Sequence, residues 1–116
     1  MTGAPDLADL LLSLGLTLAL EVPFAWLWGV RGRHDLTLCV LVNVLTNPPV
    51  VVSYCLLAAA TGAPRFAVQL PLEALAAAAE AGCYAACGRE IRHPVWLSIC
   101  ANAWSYGIGL LLAAAL

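Results

Sequence analysis

Lysine is missing from this sequence, and five arginines carry all of its fixed positive charge. Charged residues make up 10% of the 116, against about 25% in an ordinary soluble domain. That shortage argues against a soluble enzyme. The formal net charge of −2 leaves no basic patch for a phosphate backbone, which argues against nucleic acid as a partner. There is no H-E-x-x-H motif, no glycine-rich phosphate loop and no Ser–His or Cys–His constellation. The chain therefore reads as a non-enzyme with no cofactor. No C-x-x-C pair occurs either. Cys39, Cys55, Cys83, Cys87 and Cys100 all fall in apolar stretches, where cysteine serves as a small apolar residue. In place of the basic start of a signal peptide, the first nine residues carry Asp6 and Asp9.

What is abundant is apolar: 63% hydrophobic residues and a mean hydropathy of +0.91. A membrane-crossing helix needs roughly 20 such residues, so four spans use the whole chain as a single transmembrane domain, 1–116. The spans are expected at about 7–30, 36–60, 67–88 and 94–116. Arg-Gly-Arg-His-Asp, Thr-Gly-Ala-Pro-Arg and Arg-Glu-Ile-Arg-His-Pro separate them, with Gly and Pro turning the chain. Such short connections make successive helices antiparallel neighbours. Arg31, Arg33, Arg89 and Arg92 lie on one side and Arg65 alone on the other. By the positive-inside rule, loops 31–35 and 89–94 face the cytoplasm and both termini face outward, across a cell (inner) membrane. Trp26, Trp28 and Trp96 fall near the cytoplasmic ends, as interfacial aromatics do. The third span is the weakest, alanine-rich with Glu73 and Glu80 inside it.

Sliding the sequence by 59 positions aligns its rarest residues without a gap. Glu21 falls on Glu80, Gly29 on Gly88, Arg33 on Arg92, His34 on His93, Asn43 on Asn102 and Thr46 on Ser105. Both histidines and two of the three asparagines match. A shared topological rule accounts for arginine in both cytoplasmic turns, but not for Glu and Asn at matched depths. The expected fold is all-α: an integral membrane four-helix bundle of two parallel two-helix repeats, about 7–60 and 67–116. A pseudo-two-fold axis along the membrane normal would relate them. At 1.5 Å per residue, Glu21, Asn43, Glu80 and Asn102 come about 10–14 Å in from the cytoplasmic side, near the midplane.

Lipid cannot satisfy polar side chains at that depth, so they must face one another or water. Asn43, Thr46 and Asn47 share a face of the second helix, and Asn102, Ser105 and Tyr106 a face of the fourth. Glu73 and Glu80 nearly eclipse one another on the third, with Tyr84 one turn on. A buried carboxyl either keeps its proton and donates to an amide, or ionises and pairs with a cation, and Asn suits both states. On the first reading Glu21–Asn43 and Glu80–Asn102 are interhelical hydrogen bonds of about 0.6–2 kcal/mol. On the second, Glu21 and Glu80 bind or exchange a proton, cation or small cationic solute. Asn43, Asn102, Thr46 and Ser105 then complete the shell, while Glu73, Asn47, Tyr84 and Tyr106 line the approach. Pro23 beside Glu21, and Pro48-Pro49 after Asn47, are expected to break helices at the site. His34 and His93 read as solvated turn residues.

Glu21, Asn43-Val-Leu-Thr-Asn-Pro48, Glu73, Glu80, Tyr84 and Asn102-Ala-Trp-Ser105 together resemble an uncharacterised family of short bacterial four-helix integral membrane proteins. The resemblance covers most of the chain and implies no activity. Length and span number also match small multidrug transporters and fluoride channels, but the motifs of neither are present. The sequence thus points to a transporter-like or channel-like protein, its partners the lipid bilayer and further copies of itself. The alternative is a non-transporting membrane subunit or scaffold whose Glu/Asn pairs only fix helix packing.

Overall fold

Asp6 starts the first helix by a reciprocal cap. Its carboxylate accepts the Asp9 N–H at 2.8 Å, and the Asp9 carboxylate accepts the Asp6 N–H at 3.2 Å. Helix α1, Leu7–Trp28, ends at Gly29, whose φ of +123° is open to glycine and strained for other residues. Helix α2, Arg33–Thr61, ends at Gly62 in the left-handed conformation, with its N–H on the Ala58 carbonyl. Helix α3 covers Arg65–Cys87. Helix α4, Pro94–Ala115, begins on a proline, which suits a first turn because that N–H has no helical acceptor. This computed structural model describes residues 6–115, and among them there is no strand. The helix ends lie within three residues of the spans expected from sequence.

The expected helix breaks do not occur. Pro23, Pro48, Pro49 and Pro71 all sit inside continuous helices. The proline ring fixes φ near the helical value, so α2 runs through Pro48 and Pro49 with only local loss of hydrogen bonds.

Each helix packs against its sequence neighbours, and α1 packs against α4 to close a four-membered ring. Helices facing each other across the ring bring no Cα atoms within 8 Å of one another among the described residues, which leaves room for side chains and a cavity along the axis. The molecule measures 42 × 25 × 23 Å. A 22-residue helix is about 33 Å long, close to the thickness of a bilayer's hydrocarbon core.

Polarity is arranged opposite to that of a soluble bundle. Leu11, Leu27, Leu45, Leu75 and Leu111 point outward, each more than half exposed, while Glu21, Asn43, Glu80 and Asn102 are buried. Helices α1, α2 and α4 are long and apolar enough to cross a membrane. Helix α3 is long enough, but alanine and its charged residues Arg65, Glu73 and Glu80 dilute its apolar character. It packs along both α2 and α4.

Candidate functional site

Polar side chains recur along one face of every helix and turn toward the axis. On α1 they are Asp9, Ser13, Thr17 and Glu21, each four residues from the next. On α3 the series is Arg65, Gln69, Glu73 and Glu80. Asn43, Thr46, Asn47 and Tyr54 come from α2, and Asn102, Ser105 and Tyr106 from α4. Together with Leu16, Leu20, Val50 and Val51 they line a cavity of about 410 Å³. It runs from the helix ends around Asp9, Arg65 and Leu112 to a floor at Glu21, Asn43, Glu80 and Asn102. Beyond the floor, Ala25, Val30, Cys39, Val42, Tyr84 and Leu97 pack into an apolar plug. The shaft therefore has one end.

The plugged end is tied across the two halves of the chain. Asp35, 2% exposed, accepts the backbone N–H groups of Arg89 and Glu90, both at 2.8 Å. The Trp28 indole N–H donates to the Arg92 carbonyl at 2.8 Å. Arg31 donates to the Trp26 carbonyl and lies 3.6 Å over the Trp26 ring. Asp35 precedes the apolar stretch of α2. Burial disfavours its charge, but the two backbone donors and His34 at 3.1 Å outweigh that and hold the carboxyl below its ordinary value. His34 is thus exposed as expected, yet not without a partner.

At the floor the two glutamates differ. Glu80 is fully engaged: Thr46 Oγ1 donates to its Oε1 at 2.9 Å, and Asn102 Nδ2 donates to its Oε2. Glu21 Oε2 accepts from Ser105 Oγ at 2.9 Å, while its Oε1, although buried, has no partner among the described residues. The expected Glu80–Asn102 pair is present. The expected Glu21–Asn43 pair is not, because Asn43 Nδ2 turns back along its own helix to the Cys39 carbonyl at 2.8 Å. Asn47 donates to Thr17 Oγ1 at 3.0 Å, and its Oδ1 is likewise buried without a partner, as is the Tyr106 hydroxyl.

Both hydroxyls on the glutamates have a second neighbour. Thr46 Oγ1 is 3.0 Å from the Val42 carbonyl, and Ser105 Oγ is 3.3 Å from the Asn102 carbonyl. A hydroxyl has one proton to donate and can also accept. Given to the carboxylate, that proton satisfies a charged glutamate. Given to the carbonyl, it leaves the hydroxyl oxygen to accept from a protonated one. The same rotor serves either state.

Of the residues expected at the site, Glu21, Glu80, Asn43, Asn102, Thr46, Ser105, Glu73, Asn47 and Tyr106 line the cavity. Tyr84 does not. It lies one turn beyond Glu80, inside the plug. Sequence reading missed Asp9, Ser13, Thr17, Arg65 and Gln69. Their four-residue spacing with Glu21 and Glu73 was the available signal. No group of three or more His, Cys, Asp and Glu side chains among the described residues could hold a metal ion. Compared with protein-family models, with curated proteins and with solved structures, the chain matches none, so the reading of this site rests on its own geometry.

Proposed function

We propose that this chain is a small multi-pass membrane protein with a midplane site for a proton, a cation or a small cationic solute, acting as a transporter or channel. One observation carries the reading. Glu21, 4% exposed, sits at the floor of a shaft inside an apolar-coated bundle, with one carboxylate oxygen unpartnered among the described residues. An acidic group left half-satisfied in so dry a place is costly unless something positive completes it.

The duplication also draws support from the hydrogen bonds. Thr46 on Glu80 and Ser105 on Glu21 are 59 positions apart on both sides of the contact. So are Asn43 on the Cys39 carbonyl and Asn102 on the Ser98 carbonyl. We therefore read two parallel two-helix repeats about an axis along the membrane normal, each lending a hydroxyl to the other's glutamate. With both termini outside, the shaft faces outward and the plug faces the cytoplasm. The cavity lies within one chain, so the homo-oligomer expected from the chain's small size is not needed to build the site.

The scaffold reading has its own support in Glu80, whose bonds to Thr46 and Asn102 tie α2, α3 and α4 together. The test is the melting temperature of the detergent-purified protein across pH and a panel of cations and amines, repeated on Glu21→Gln and Glu80→Gln. A ligand at a hundred times its dissociation constant adds about 2.7 kcal/mol. Stabilisation by a cation that disappears in Glu21→Gln supports the site. Indifference of the parent to every cation and pH, with both variants melting like it, would leave only the scaffold.

A further inference from the structure

The shaft is long and its carboxyls are stacked. Glu73 and Glu80 are seven residues apart on α3, about 10 Å along the axis, so Glu73 stands one level above the floor. Each level also holds a neutral oxygen without a partner among the described residues. Near the floor it is Asn47 Oδ1, on the side chain bonded to Thr17, one turn from Glu21. At the upper level it is the Tyr106 hydroxyl, which has Glu73 and Arg65 as charged neighbours. Between the levels the wall is mostly apolar, with Leu16, Leu20, Val50 and Val51, and the Thr17 hydroxyl there accepts from Asn47. Among the described residues the one cation lining the shaft is Arg65, turned to Gln69 at 2.8 Å, against the four carboxyl groups of Asp9, Glu21, Glu73 and Glu80.

Two acidic levels separated by a mostly apolar wall call for a matching ligand. We infer that the cavity takes a linear diammonium, with one end at Glu21 and Asn47, the other at Glu73 and Tyr106, and methylenes against Leu20, Val50 and Val51. This rests on the cation-site reading above and narrows it. Each ammonium has N–H donors for a carboxylate and a neutral oxygen together, which a quaternary head lacks. A compact cation meets one level only. The length of the ligand is thus as important as its charge.

The test uses the full chain in detergent and calorimetric titration with diaminooctane, putrescine, octanediol and potassium ion. Extended diaminooctane, nine bonds from nitrogen to nitrogen, spans about 11 Å, comparable with the level separation of about 10 Å given by seven residues of helical rise. It should bind at least tenfold more tightly than putrescine or potassium, and octanediol should not bind. Glu21→Gln and Glu73→Gln should each weaken diaminooctane by tenfold or more, since a hydrogen bond to a charged group is being lost. Tyr106→Phe, which removes one oxygen and keeps the packing, should weaken it severalfold. Circular dichroism checks that each variant is folded, and Glu73→Asp repeats the upper-level test with the charge kept and its position drawn back. If potassium or putrescine binds as tightly as diaminooctane, still through Glu21, the diammonium inference is overturned while the cation site stands. The same holds if Glu73→Gln and Tyr106→Phe leave diaminooctane unaffected. If no cation binds at all, both fall.

Discussion

Thr46 and Glu80 meet across the α2–α3 interface at 2.9 Å, and the threonine hydroxyl has the Val42 carbonyl 3.0 Å away as a second acceptor. A double-mutant cycle with Thr46→Val and Glu80→Gln should give a coupling energy of about 0.6–1.7 kcal/mol, the range for hydrogen bonds between membrane helices. The coupling should grow with pH, because a bond to a charged carboxylate is stronger than one to its neutral form. A coupling that is flat from acid to alkaline pH would mean that Glu80 does not change charge in the folded protein.

Asp35 should make the bundle acid-sensitive at its plugged end. Its carboxyl lies below its ordinary value in the folded protein, so its stabilisation is complete above the unfolded value of about 4. That contribution is lost as pH falls through the lowered folded value. Asp35→Ala should cost about 2 kcal/mol near neutral pH by removing the acceptor of two backbone N–H groups. The deficit relative to the parent should shrink in acid. Thermal melts of the two proteins at several pH values give the comparison.

Gly109 lines the shaft on α4, and a Cβ built there meets nothing within 4 Å. Gly109→Ala should raise stability by about 0.5–1 kcal/mol through helix propensity. Gly109→Leu should instead fill part of the shaft, and the melting-temperature response to any cation should decline with the protein still folded. An undiminished response would place the bound cation outside this cavity.

Leu97, 1% exposed, is the largest fully buried side chain in the plug. Leu97→Ala should cost about 2–5 kcal/mol by leaving a void. In vesicles it should also raise the leak of small cations, a measurement that asks whether the plug is what blocks the shaft.

The helices were legible in the sequence because apolar runs and Gly/Pro turns mark them at nearly every boundary. The 59-residue offset also singled out both glutamates and both hydroxyls that meet them. What it could not convey was their inequality. Equivalent positions suggested one Glu–Asn pair within each repeat, yet Asn102 reaches Glu80 while Asn43 folds back on the Cys39 carbonyl. Side-chain rotation decides that, and no periodicity encodes it. The prolines misled for a related reason. Pro48 and Pro49 favour a helical φ, and α2 continues through both. Asp35 looked like one more charge in a polar turn. Its partners are backbone groups 54 and 55 residues away, a relationship that side-chain type does not announce.

A shaft stopped by an apolar plug has an electrical meaning as well. Placed in a bilayer, a water-filled shaft would drop little of the membrane voltage along its length, and the plug beyond Glu21 and Glu80 would carry most of it. A cation travelling from the mouth to the floor stops at the edge of that field, still near the outer potential. Crossing the plug would carry its charge through most of the voltage, worth about 2.3 kcal/mol per 100 mV. Occupancy of the glutamates would then follow the outside concentration and be nearly blind to membrane potential, while passage past the plug from Ala25 to Leu97 would carry the voltage dependence.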